Sequence, residues 1–172
     1  MAEEPATEKP YAPAYEGEDS QHGTLTWDWA LERLNNARNF WLATVRPEGR
    51  PHLMPIWCVW HDNALYFSTS PDSRKARNFT LNASVSISTD GAGASVIIEG
   101  SVWIVDSREE REVIAKAYEA KYDWAIEATD DGVRFDDDVE TPLYVVLPRL
   151  AFGITDDEVS KMTRWRFANE QG

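Results

Sequence analysis

Residues 39–82 read NFWLATVRPEGRPHLMPIWCVWHDNALYFSTSPDSRKARNFTLN, and the fold follows from how this run divides. Three apolar segments, Phe40 to Arg46, Pro51 to Trp60 and Ala64 to Thr69, have the length and composition of strands. The gaps between them, Pro47-Glu48-Gly49-Arg50 and His61-Asp62-Asn63, are turn-sized and made of turn formers. Ser70-Pro71-Asp72-Ser73 then reads as a helix start, with Ser70 at the N-cap, Pro71 at the first helical position and Asp72 in the first turn. The helix it opens, about Asp72 to Asn82, carries Arg74, Lys75 and Arg77 within four residues. Ser68, Thr69 and Ser70 bring hydroxyls to the same place, where a helix start leaves N–H groups free. Together these make a seat for an anion such as phosphate.

The second segment is apolar on both faces. Leu53, Pro55, Trp57 and Val59 alternate with His52, Met54, Ile56, Cys58 and Trp60, so neither face suits water. In a chain of this size the economical solution is a closed barrel, filled by its own side chains and covered outside by helices or a second subunit. Pro55 cannot donate to a ladder and marks an edge or a bulge.

Working outward, Thr26 caps a predicted helix from Trp27 to Arg38, whose face is Trp27, Ala30, Leu31 and Leu34. Downstream, strands are predicted at Ala83–Thr89 and Ser95–Val105 around the turn Asp90-Gly91-Ala92-Gly93. Asp106 or Ser107 caps the next helix, which runs to about Tyr122 and buries Val113, Ile114, Ala117, Tyr118 and Tyr122. Residues 142–153 and 159–167 supply the last two strands, joined through Thr155-Asp156-Asp157. The sum is an α+β fold: a mainly antiparallel barrel of about seven strands with two or three flanking helices.

The 172 residues make one domain, 42% apolar and 12% aromatic, and the net charge is −13. That charge is concentrated: residues 1–23 carry net −5 and residues 127–140 net −6. The first is expected to be a disordered acidic arm, the second a mobile acidic loop within a domain spanning 24–172. A field of this sign disfavours nucleic acid. No apolar run reaches membrane-spanning length and no secretory leader is visible, so the expected location is the cytoplasm. The single cysteine, Cys58, allows no internal disulfide and reads as an inert core thiol. The three histidines are too scattered for a metal site, and no nucleophile elbow, P-loop or dinucleotide fingerprint is present. Catalytic side chains are therefore unassigned. A chain without its own chemical machinery but with a phosphate grip fits a protein that borrows reactivity from a cofactor.

Several segments, in order, resemble the pyridoxamine 5'-phosphate oxidase-like split β-barrels. They are Phe40 to Val45 with Pro47 to His52, Pro55-Ile56-Trp57, Leu65 to Thr69, Ser73 to Asn78, Glu99-Gly100-Ser101 and Thr163 to Phe167. The ending Trp165-Arg166-Phe167 differs from the substrate-gripping segment of the vitamin B6 oxidase itself, so the likeness is to the FMN- and F420-binding members. The resemblance implies a homodimer with cofactor sites at the subunit interface. It places the backbone of Met54, Pro55, Ile56 and Trp57 beside the ring and Ser68 and Thr69 near the ribityl-phosphate end. Arg74, Lys75 and Arg77 would hold the phosphate, with Arg164, Trp165 and Arg166 arriving from the partner. The implied activity is hydride transfer between FMN, alternatively F420, and a small-molecule substrate; the alternative is a flavin-binding carrier or stress protein. Trp57 and Trp60, on opposite strand faces, give at most one pocket wall.

Overall fold

The computed structural model describes residues 4–10, 23–135, 139–156 and 161–168. In chain order the elements are β1 (Ala6–Glu8), α1 (Trp27–Asn36), β2 (Phe40–Val45), β3 (Pro51–Ile56), β4 (Val59–His61), β5 (Ala64–Ser68), α2 (Arg74–Leu81), β6 (Ser84–Thr89) and β7 (Ala94–Ile104). There follow α3 (Arg108–Tyr122), β8 (Ile126–Ala128), β9 (Val133–Phe135), β10 (Val139–Thr141), β11 (Leu143–Thr155) and β12 (Thr163–Arg166). The principal sheet is antiparallel and runs β1-β12-β11-β7-β6-β2-β3, with β5 on β11 and β4 on β5. It is a split β-barrel with three helices, as the apolar pattern requires.

β11 is the spine. One edge pairs with β7 along almost its whole length, while the other pairs first with β5 (Leu143 to Val146) and then with β12 (Leu150 to Gly153). Between Pro148 and Leu150 the register shifts by one residue, so Arg149 bulges and the strand bends. The barrel interior is filled by Phe40, Leu42, Leu65, Phe67, Ile87, Ile98, Val146 and Trp165, all buried. α1 closes one end, and Thr26 caps it as expected, accepting from Trp29 N. Its Trp27 meets Trp165 edge-on at 5.3 Å and Trp60 at 5.7 Å.

The ten-residue second strand is in fact two. β3 pairs with β2, and the chain then leaves that ladder at Trp57-Cys58 and resumes as β4 on β5. α3 meets the polar groups exposed at the break. Tyr122 Oη accepts from Cys58 N at 2.8 Å and lies 2.9 Å from Cys58 O, Tyr118 Oη donates to Trp57 O, and Lys121 Nζ donates to Cys58 O and Leu34 O. The stripe that holds α3 is Arg111, Ile114, Ala115, Tyr118 and Tyr122, whereas Val113 is exposed. Arg111 can be buried because its guanidinium donates to the carbonyls of Val105 and Asp130, at 2.7 Å each.

The described parts of both acidic segments include paired strands. Within residues 1–23, Ala6–Glu8 form a strand on β12, while residues 1–3 and 11–22 lie outside the described set. Within 127–140 the chain forms a three-stranded sheet, β8-β9-β10, where Arg134 stands opposite both Glu127 and Glu140 and pairs with each. Residues 136–138 are outside the description. The β4–β5 turn is a two-residue hairpin with Asp62 and Asn63 at φ of 44° and 60°, the left-handed pair such turns need.

Two substitutions test this packing. Tyr122→Phe strips the hydroxyl that serves both polar groups of Cys58, and should cost about 1–3 kcal/mol in urea unfolding. Gly153→Ala places a Cβ 2.5 Å from the buried Trp165 ring and 3.0 Å from Leu25 Cδ1; the same measurement should show a loss of about 1–3 kcal/mol.

Candidate cofactor-binding site

α2 begins three residues later than Pro71 suggests. Ser73 N donates to Ser70 O at 3.0 Å, closing a turn, and Ser73 is the N-cap, its hydroxyl accepting from Ala76 N at 3.2 Å. Ser70-Pro71-Asp72-Ser73 closes a β-turn with Pro71 at its second position, so residues that also suit a helix start are used for a turn one step before it. Thr69 Oγ1 donates to Ser73 Oγ and so supports the cap. Arg74 and Lys75 therefore open the helix, where the N–H groups are not used within it.

The side chains beneath are Ala76, Asn78 and Phe79, all buried. Asn78 Nδ2 donates to Thr44 Oγ1 at 2.9 Å, and Thr44 in turn lies 3.4 Å from His52 Nδ1 on β3. This ties the helix to the β2–β3 hairpin and brings Arg46, at the hairpin's start, into the same neighbourhood. Burial, and then the charges of Arg46, Arg74 and Lys75, hold the His52 imidazole below its ordinary pKa, so it is a neutral ring facing three cations. Burial also lowers the Lys75 ammonium. None of Arg46, Arg74, Lys75 and Arg77 makes an ion pair among the described residues, although the chain carries net −13. Two buried polar atoms, Asn78 Oδ1 and Arg46 Nε, have no partner. Unpaired cations, with the Arg46 Nε donor among them, suit a multivalent oxyanion.

On the face of this hairpin opposite His52 lies an open apolar strip. β3 is the last strand of the sheet, and Leu53 (56%) and Met54 (41%) are exposed on it with Pro55. By register Trp41, Leu53, Pro55 and Val45 share one face, and Trp41 and Val45 are exposed as well. A flat ring could lie here without displacing any packed side chain.

The residues expected to contact a cofactor thus separate. Met54 and Pro55 are open, and Arg74 and Lys75 converge with His52 and with Arg46, which the linear reading left out. Arg77 is exposed and is not among the charges acting on His52. Ile56 is buried in the core. The Trp57 ring is stacked on Tyr122 at 4.7 Å, with Trp124 at its edge, and its carbonyl takes the Tyr118 hydroxyl. Trp60 packs on Trp27 and Phe167, so neither tryptophan is a free wall. The Ser68 hydroxyl is engaged at the β10–β11 junction, 2.6 Å from Thr141 Oγ1 and 2.9 Å from Pro142 O. Trp165 corrects the expectation most clearly. It is 0% exposed inside its own barrel and has no surface to offer a neighbour's site. Arg164 and Arg166, which alternate with it, point outward, and both bind Glu8.

Among the described residues no cluster of three or more metal-ligating side chains occurs, and no helix is long and apolar enough to cross a membrane. The structure resembles a NimC/NimA family protein from Clostridium acetobutylicum (19% identity, TM-score 0.61, covering 84% of this chain and 95% of that one). It also resembles an F420 reductase (26% identity, TM-score 0.54, 70% and 93%). General Stress Protein 26 from Bacillus anthracis is a third similar structure (17% identity, TM-score 0.55, 72% and 89%). Among curated proteins nothing matches. The family model described as pyridoxamine 5'-phosphate oxidase matches residues 27–141, from α1 through the cation helix to β10, and the chain belongs to that family.

Proposed function

We propose that this protein is an FMN- or F420-dependent oxidoreductase that works as a homodimer in the cytoplasm and acts on a small-molecule substrate. The observation that carries the reading is the unpaired cation group Arg46, Arg74 and Lys75 around neutral His52, at the end of an exposed apolar edge strand. Arg74 and Lys75, reinforced by Arg46, would hold the cofactor phosphate, and Arg77 would add long-range charge. The backbone of Met54 and Pro55, at the free edge of β3, would lie along one ring face and keep water from it. A bound flavin or deazaflavin supplies the hydride chemistry, and the chain's task is to seat it and limit access. The exposed face of Trp41, Val45, Leu53 and Pro55 is apolar enough to want cover, which favours a second subunit there. Arg164 and Arg166 of that subunit are its cationic contribution. Likeness to an F420 reductase at 26% identity supports the deazaflavin alternative.

A carrier or stress protein is the second reading. Its support is that the site offers no side chain of evident catalytic use: the thiol of Cys58 is fully buried with its pKa pushed far up, and Tyr118 and Tyr122 are engaged with backbone. Reducing the bound cofactor and offering quinones, nitroaromatics and tetrapyrroles separates the two, since turnover of any acceptor excludes the carrier.

The double substitution Arg74→Ala, Lys75→Ala should weaken FMN binding by roughly 30-fold or more in fluorescence quenching, with the melting temperature little changed. Equal affinity, or loss of folding, would contradict the grip. His52 adds a pH signature. Burial does most to keep the ring neutral, but an anion placed among Arg46, Arg74 and Lys75 cancels the repulsion that adds to it, so binding takes up a proton there and gains as pH falls. FMN phosphate itself loses charge near pH of about 6. The informative quantity is therefore the wild-type to His52→Gln affinity ratio, which should rise between pH 7.5 and about 5.5.

A further inference from the structure

Glu8 ends the short strand β1, which pairs antiparallel with β12 so that Ala6 faces Arg166, Thr7 faces Trp165 and Glu8 faces Arg164. With Trp165 turned into the barrel, the two flanking arginines stand on the outer face, and Glu8 lies between them. Arg164 donates to Glu8 Oε2 from Nε at 2.9 Å and from Nη2 at 2.5 Å. Arg166 reaches Oε1 from Nε at 3.3 Å and Oε2 from Nη2 at 3.4 Å. A single carboxylate is thus held by two guanidinium groups, which keep its pKa below the usual glutamate range.

The plain explanation is edge protection: β1 covers a strand that would otherwise end the sheet. That accounts for the backbone pairing but not for the side chains. Edge cover needs no carboxylate, and two arginines around one acid leave the place with a net positive charge. β1 itself is short: among the described residues its three residues pair with β12 alone, and Pro5 before them is buried. These are the properties of an anion site with an internal occupant.

We infer that Arg164 and Arg166 form a fork for an oxyanion of the bound ligand, a carboxylate or a phosphate, and that Glu8 is its resident internal ligand, displaced when that oxyanion arrives. The inference rests on the cofactor reading above for the identity of the ligand. The displacement itself can be tested apart from it. The N-terminal strand then sets a threshold on affinity, and ligands with more than one negative charge compete best, because they satisfy both arginines where Glu8 brings a single charge.

The experiment uses the full chain, wild type and Glu8→Gln, with FMN, F420 and citrate as probes. Binding is read by fluorescence quenching, and strand docking by hydrogen–deuterium exchange at residues 6–8. Glu8→Gln should bind FMN or F420 about fivefold more tightly, in keeping with the modest strength of an exposed ion pair. Saturating cofactor should speed exchange at residues 6–8 in the wild type. Unchanged or weaker binding by Glu8→Gln, with residues 6–8 still protected at saturation, would overturn the proposal. If neither form binds either cofactor, the cofactor reading fails and citrate decides the displacement. Faster exchange at residues 6–8 in citrate than in sodium chloride of equal ionic strength supports it, and equal exchange overturns it.

Discussion

The fold depends on a gap in a ladder. At Trp57-Cys58 the chain leaves β2 and crosses to β5, and a backbone that changes partners inside a barrel exposes N–H and C=O groups where water is scarce. Tyr118, Lys121 and Tyr122, one turn of α3, supply hydrogen bonds to those groups. The remaining attachments of α3 follow from this. Its phenol rings pack on Trp57 and Phe135, and its ammonium sits 4.7 Å from the Phe40 ring, with burial pulling the pKa down to about 8. An amine so placed acts as a polar staple, with carbonyls in place of a carboxylate.

Among the described residues β3 pairs with β2 alone, so its outer side is open, and Met54 and Pro55 are exposed on it. The candidate site lies at this free edge. Its charge is then concentrated by the hairpin, which returns Arg46 and His52 to the helix that carries Arg74 and Lys75.

Local signals were legible where their physics is local. Thr26 and Ser107 cap the helices they announce, the Asp62-Asn63 turn has the backbone its residues favour, and Ser73 to Arg77 is a cationic helix start. The break at Trp57-Cys58 was hidden because Met54 to Trp60 is continuously strand-like, and its cause lies about sixty residues downstream in Tyr118 and Tyr122. Proline at 71 pointed to a helix start one turn early, since a β-turn uses the same residue types. Composition marks the acidic stretches as solvated; within their described parts Arg134 between Glu127 and Glu140, and Arg164 beside Glu8, are cross-strand partners that composition does not reveal. For Trp165, alternation on β12 placed ring and arginines on opposite faces, but which face was inside depended on Trp27 and Gly153.

Pro51 and Pro55 stand two strand repeats apart on β3, with Leu53 between them on the same face. A proline in a paired strand keeps its ring nitrogen where no ladder donor is needed, so at the free rim of β3 only Leu53 of these three retains an N–H. With one donor left among its three carbonyls, the rim is a poor template for strand addition. Contact here is better made through side chains laid against the face, and the prolines help protect an exposed hydrophobic border from fibrous self-association.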